Sequence, residues 1–239
     1  MLESMVHLRR MEAFWALKLQ VSPEQFTAPG THVIPIERLT DCIVEYRLPQ
    51  TSLLCVPPSL ASLASSKLTS AIAPLEPESL IALLSATLFP ATLELRWHDF
   101  VWYATELPAP ADPHIRALTP ADAQRLESLR DACTQIERDT GDVEITQQSV
   151  IGWLEGEDLI AAASLIVDGQ IADVGVLTHP DHRGRGLGKS VVAALIRTTL
   201  DAGLTVQYMT QQKNTASRRI AAGLGLQPFL EIRCFSLKN

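Results

Sequence analysis

His182-Arg183-Gly184-Arg185-Gly186-Leu187-Gly188-Lys189-Ser190 directly follows an apolar run, Ile171 to Leu177, and opens a helical pattern from Leu187 to Ala202. A strand, a glycine loop and a helix in that order build a cradle for phosphate. Glycines let the main chain come close, and the N–H groups of the first helical turn point at the anion. Arg183, Arg185 and Lys189 add positive charge in a chain whose net charge is -7. Two common phosphate loops fit poorly. The pattern G-x-x-x-x-G-K-[ST] matches at Gly188-Lys189-Ser190, but arginine stands at 183 where it needs a glycine. The dinucleotide pattern G-x-G-x-x-G meets its third glycine one residue early, with no βαβ unit and acidic ribose ligand after it. The pattern [RQ]-x-x-G-x-[GA] is satisfied throughout by Arg183, Gly186 and Gly188.

With that loop the chain resembles the GNAT superfamily of acyl-CoA-dependent N-acetyltransferases, and Thr178-His179-Pro180-Asp181-His182 is similar to the family's link from its fourth strand. Two further blocks carry the resemblance. Asn214-Thr215-Ala216-Ser217 is similar to the N-x-x-[AS] start of the helix after the fifth strand, and Gly225-Leu226 closes it. Ile115 to Ala123 is similar to the first strand and first helix cap. The resemblance covers roughly the last half of the chain.

The resemblance implies an α+β fold layered α/β/α. Its sheet is mixed, mostly antiparallel and flanked by helices, with two central strands, Ile171–Thr178 and Leu204–Thr210, splaying apart. Main-chain groups at Val176, Leu177 and Thr178 would then bond the pantetheine arm of acetyl-CoA, since buried main-chain polar groups need partners. One N–H there could polarise the thioester carbonyl. Arg183, Gly184, Arg185, Gly186, Leu187, Gly188, Lys189 and Ser190 would hold the diphosphate, with Asn214 and Ser217 as further contacts. The implied reaction is direct attack of a primary amine on the thioester in a ternary complex. An alkyl ammonium titrates near ~10, so a base or a water chain must assist.

The chain departs from the family in one respect. Many members carry a tyrosine seven residues after the motif asparagine, as acid to the leaving thiolate; here that residue is Ala221, and Leu226 replaces the closing aromatic. Tyr208 is the candidate substitute and Asp173 the candidate base or base relay. The missing tyrosine leaves a second class open, a non-catalytic acyl-CoA-binding or sensor module on the same fold.

The chain has 239 residues, 46% hydrophobic, enough for one large domain or two small ones. A pI near 5.4 argues against general nucleic-acid binding and hints at a cationic, small-molecule amine acceptor. Cys42, Cys55, Cys133 and Cys234 are scattered, without C-x-x-C or histidine at ligand spacing, so no metal is expected and reduced thiols are. No apolar run reaches bilayer length and the first ten residues lack a signal pattern, so a cytoplasmic protein without a membrane partner is the expectation.

Leu107-Pro108-Ala109-Pro110-Ala111-Asp112-Pro113 reads as a stiff linker. It divides an α/β region at 1–106 from a transferase domain at 114–239. In the first region, residues 4–19 have helical spacing. Ser22 caps a short helix with Pro23 at its first position. The text from Phe26 to Tyr46 reads as irregular. Ser52–Val56 reads as a strand, and Leu60–Ile72 and Pro77–Leu88 as helices. Leu93–Trp97 reads as a strand continuing through Phe100–Ala104 as a hairpin. This region is either a degenerate transferase-like half, or a cap that walls the acceptor pocket or forms a homodimer. In the second region, Glu144–Gln148 reads as a short helix or extended segment, and Pro228–Leu237 as two strands.

Overall fold

The computed structural model describes residues 2–68, 77–87, 92–106 and 112–238. Its helices are α1 (Leu2–Leu19), α2 (Pro23–Thr27), α3 (Pro58–Leu68), α4 (Pro77–Thr87), α5 (Ala123–Ala132), α6 (Gln135–Gly141), α7 (Leu187–Asp201) and α8 (Thr215–Gly223). Its strands are β1 (Gly30–Pro35), β2 (Cys42–Arg47), β3 (Thr51–Val56), β4 (Thr92–Tyr103), β5 (Ile115–Ala117), β6 (Ser149–Glu155), β7 (Asp158–Asp168), β8 (Ile171–Thr178), β9 (Thr205–Gln211) and β10 (Gln227–Lys238). The fold is mixed α/β, and its strand pairs are mostly antiparallel.

The chain forms two compact units. One comprises 11–101, 210–215 and 228–239, and the other 1–10, 102–209 and 216–227. This partition differs from a division at the proline-rich stretch, because residues 228–239 group with residues 11–101. The residues 107–111 of that stretch lie outside those described.

In the first unit the strand order is β1-β3-β2-β10-β4. Ile43, Leu54, Val56 and Phe235 bury one face against Ala64 of α3 and Leu84 of α4. On the other face Tyr46 meets Trp15 of α1, ring centroids 5.8 Å apart. Arg233 and Glu45, cross-strand partners in the β10–β2 register, form an ion pair at 3.0 Å with almost no exposure. Burial pushes the Glu45 carboxyl up, and Arg233 and the Ser52 hydroxyl oppose it.

Three expectations fail here. Phe26–Tyr46 is not irregular but contains α2's last turn, β1 and β2. Pro29-Gly30 reads as a turn, yet Gly30 opens β1, an edge strand beside β3 whose one proline, Pro35, is its last residue, where a missing N–H donor is tolerated. The stretch 93–104 is not a hairpin. Thr92–Tyr103 is one strand, with no glycine or proline in it at which to turn. Pro228–Leu237 is likewise one strand and not two. The predicted helix over Leu60–Ile72 starts earlier, at Pro58, and its end lies outside the described residues.

The second unit has strand order β9-β8-β7-β6-β5. β7 is buried along both faces. Ala161, Ala163 and Leu165 pack with Val191, Val192 and Leu195 of α7, while Ala162 packs with Leu126 and Leu129 of α5. Helices thus cover both sides, giving α/β/α layers. Glu144–Gln148 is neither helix nor strand but a turn, closed by the Gln147 N–H to the Glu144 carbonyl. The helix there is α6, nine residues earlier, which the sequence reading missed. Its signal was present: Thr134-x-x-Glu137 forms a capping box, with Glu137 Oε2 accepting from the Thr134 N–H at 2.9 Å.

Asp122 anchors the entry to α5. Its carboxylate is 2% exposed and takes Arg116, Arg125 and the Thr119 N–H. The Arg116 guanidinium, before the others, holds its pKa far below the usual carboxylate range. Asp122→Ala is expected to cost about 2 kcal/mol at neutral pH, read as a lowered urea midpoint. A depressed folded-state pKa gives stability that is present above the unfolded value of about 3.9 and lost as pH falls toward the folded value. The gap between wild type and variant should therefore narrow below about pH 4; a constant gap would count against the assignment.

Candidate active site

β8 pairs with β9 in parallel only at Ile171↔Thr205, Ala172↔Val206 and Asp173↔Gln207. Both strands continue, β8 to Thr178 and β9 to Gln211. From Val174 onward β8 therefore has no register partner on that side. Residues in an antiparallel ladder turn both main-chain groups alternately toward and away from the neighbour. The His179 N–H bonds the Ile160 carbonyl of β7. Gly175 and Leu177, in step with His179, face β7, while Val174, Val176 and Thr178 face the open edge. Of the three residues expected to bond a pantetheine arm, Leu177 spends its main chain on β7 and its side chain in the α5 core. The Thr178 carbonyl accepts from Arg183 Nε at 3.3 Å.

The glycine loop follows a single 3-10 turn at Pro180–His182. Gly184 and Gly186 have φ of +78° and +84°, and nothing lies within 4 Å of where their side chains would start. Both hold the left-handed conformation that glycine adopts without cost, and both border open space. Gly188 serves another purpose: a Cβ there would meet Thr178 Oγ1 at 2.9 Å, so it seats α7 against the end of β8. Gly186 caps α7, and the N–H groups of Leu187, Gly188 and Lys189 have no partner within the helix. Ser190 N–H and Oγ both bond the Gly186 carbonyl, which commits Ser190 to the helix.

The loop's three cations differ. Arg183 holds Glu137 of α6 at 2.8 Å, and Arg185 holds Glu155 and His182 Nδ1. Glu137 is kept below the usual carboxylate range by the Thr134 N–H and then by Arg183, and Glu155 by Arg185. Among the described residues Lys189 has no carboxylate partner, and its stem lies beside Gly223 at the end of α8.

Asp173 and Tyr208 are not brought together. Tyr208 belongs to the core under α7 with Ala172, Val174 and Val206, and it is 2% exposed. Burial pushes its phenol up, partly offset by Ser217 on the first turn of α8, which its hydroxyl faces. Ala221, one turn further along α8, is fully buried in the same core. Asp173 is half-buried and registers with Ile166 and Gln207, so it alternates to the opposite face, where α6 lies. Asn214 stands one residue before α8, in the segment 210–215 that groups with the first unit.

The carboxyl end of a parallel strand pair that opens onto a glycine-capped helix is the geometry that the loop sequence implies. The family model of the GNAT acetyltransferases matches residues 127–234. Those residues form a GNAT acetyltransferase domain. The GNAT fold extends beyond that stretch. A GNAT acetyltransferase from Colwellia psychrerythraea superposes with a TM-score of 0.54 over 77% of this chain and 76% of its own, at 19% identity. A GCN5-related N-acetyltransferase from Sphaerobacter thermophilus does so with 0.53 over 83% and 76%, at 10% identity. At such identities these are likenesses of fold. In sequence, mycothiol acetyltransferase of Streptomyces griseus is 28% identical over 145 residues, covering 54% of this chain and 46% of that enzyme. The chain thus spans about half the length of that relative. GNAT acetyltransferases draw on acetyl-CoA. No helix among the described residues is long and apolar enough to cross a membrane, and no cluster there could hold a metal ion.

Proposed function

We propose that this protein is an acetyl-CoA-dependent N-acetyltransferase acting on the primary amine of a small-molecule acceptor. The observation that carries this is the end of the β8–β9 register at Asp173↔Gln207, upstream of the left-handed Gly184–Gly186 loop and of the α7 N–H groups that have no partner within the helix. The site suits the donor on its own geometry: open space at the loop, unsatisfied N–H groups and one uncommitted lysine fit a diphosphate. The open main-chain edge at Val174 and Val176 fits the amides of a pantetheine arm. Acetyl-CoA, when bound, supplies the activated acyl group and a thiolate leaving group.

The residues of the chain then divide the work. The loop from Gly184 to Lys189 binds and orients, with Lys189 as its charged contact. The Val174 or Val176 N–H polarises a carbonyl lying along the open edge. Asp173, on the α6 face, accepts or relays the proton of the incoming ammonium. Tyr208 and Ser217, on the other face, return a proton on the side of α7 and α8. The name of the curated relative, mycothiol acetyltransferase, accords with a small acceptor. The acidic chain favours a cationic one.

A second reading, a non-catalytic acyl-CoA sensor, draws support from one feature: Ala221 is sealed in the core and Tyr208 is nearly so. Calorimetry with coenzyme A and acetyl-CoA turnover against a panel of primary amines separate the two. Micromolar binding with thiol release supports the transferase, and Asp173→Asn should then slow turnover more at pH 7 than at pH 9. Tight binding with no turnover on any amine would favour the sensor. No binding would remove both.

A further inference from the structure

Arg183 is the residue that the loop pattern nominates as an anion contact, yet its guanidinium is turned toward α6. Nη1 meets Glu137 Oε1 at 2.8 Å and Nε meets the Thr178 carbonyl at 3.3 Å. The partner is itself fixed. Glu137 Oε2 accepts from the Thr134 N–H and from the Thr134 hydroxyl, both at 2.9 Å. Cys133 Sγ lies 3.9 Å from the same Thr178 carbonyl. At its other end α6 rests on β8 through glycines: a Cβ on Gly175 would lie 2.1 Å from the Gly141 carbonyl. α6 is therefore pinned at both ends along Gly175–Thr178, the half of β8 that has no partner in β9.

We infer that Arg183 is a positioning residue, a latch that ties the end of β8 to α6, and not a ligand of the anion that the loop holds. Three observations favour this. Its donors are already aimed at a carboxylate and a carbonyl, and leaving them would uncover both. The anion has better candidates in the main-chain N–H groups of the loop and in Lys189. And α6 covers the face that carries Asp173, so the latch fixes the wall past which an acceptor must come. That last consequence rests on the acetyl-CoA reading; the latch itself does not.

The test uses the full chain and two measurements, amide hydrogen exchange over residues 135–141 and calorimetric titration with coenzyme A. Glu137→Gln keeps an oxygen for the Thr134 cap but removes the charge. It should speed exchange of α6 about two- to fivefold without ligand, the range expected for a half-exposed ion pair. Arg183→Ala loses the carbonyl contact as well and should do more, while coenzyme A affinity stays within about threefold of wild type. The double variant Glu137→Gln with Arg183→Ala should speed α6 exchange clearly less than the product of the two single effects, since both break the same ion pair. A direct anion ligand behaves oppositely: Arg183→Ala would weaken coenzyme A by about tenfold or more, as a charge-assisted bond requires, with α6 exchange unchanged. That pattern, or independent effects that multiply fully in the double variant, overturns the latch. Failure of the wild type to bind coenzyme A overturns the acetyl-CoA reading instead, and the exchange arm decides the latch alone.

Discussion

Gly186→Val is expected to weaken coenzyme A binding by at least ~100-fold while leaving the protein folded. The magnitude follows from what the residue holds in place. At φ +84° it turns the chain so that the N–H groups of Leu187, Gly188 and Lys189 open toward one point. Valine is stiff at Cβ and rarely enters the left-handed region, so the loop must leave this conformation. Losing two charge-assisted N–H bonds at about 1.5–3 kcal/mol each amounts to roughly a hundredfold or more. The fold survives because nothing lies within 4 Å of the new side chain's position. A matched control exists at the far end of β8. Gly169, in the β7–β8 turn, is also left-handed, at φ +60°, and also borders open space. Gly169→Val should cost similar stability, about 1–2 kcal/mol, with no loss of coenzyme A affinity. Calorimetry and urea unfolding on both variants make the comparison. Equal affinity for Gly186→Val and wild type would place the diphosphate elsewhere.

How much of this was legible in the sequence depends on whether the signal was local. The loop could be read because its requirement is local: a left-handed Gly186 and a helix beginning at Leu187 leave their mark within nine residues. The open strand pair was an expectation from resemblance, and the register supplies its length. Other features depend on tertiary context. The strand at Gly30–Pro35 was hidden because Pro29-Gly30 at its start reads as a turn and its own Pro35 suits an edge strand, and no sequence window shows which strand is the edge. Twelve-residue strands at Thr92–Tyr103 and Gln227–Lys238 each looked like two elements, since their alternation is interrupted while each strand runs on. α6 was missed despite its Thr134–Glu137 capping box, because seven residues carry too little periodicity to stand out. Missing α6 also hid the partner of Arg183. With Glu137 unplaced, an arginine in a glycine loop reads as an anion contact. With Glu137 2.8 Å away, the same arginine is committed to protein.

Gly175→Ala should act on the same region from the opposite side. Here the glycine is required by a close approach and not by backbone angle. A Cβ would lie 2.1 Å from the Gly141 carbonyl oxygen and 2.8 Å from that of Asp142. Both are main chain, so no side chain can swing aside, and α6 must lift from β8. Overpacking against rigid neighbours costs typically 1–3 kcal/mol, and this contact belongs at the upper end. The Asp142 carbonyl also accepts from the Ser164 hydroxyl and from Gln147 Nε2, so displacing it disturbs both bonds. Urea unfolding should show a loss of about 3 kcal/mol. Coenzyme A affinity should fall far less than in Gly186→Val, because the loop and α7 are seated by Gly188 on Thr178 and not by α6. Gly141→Ala presses on the same contact, its Cβ 2.6 Å from Leu177 Cδ2 and 2.7 Å from the Val176 carbonyl. Once α6 has lifted, the second substitution has less left to disrupt, so the double variant should cost clearly less than the sum of the two single ones. Additive losses would mean that the two glycines are needed for separate reasons, and the contact between α6 and the open half of β8 would not be the shared cause.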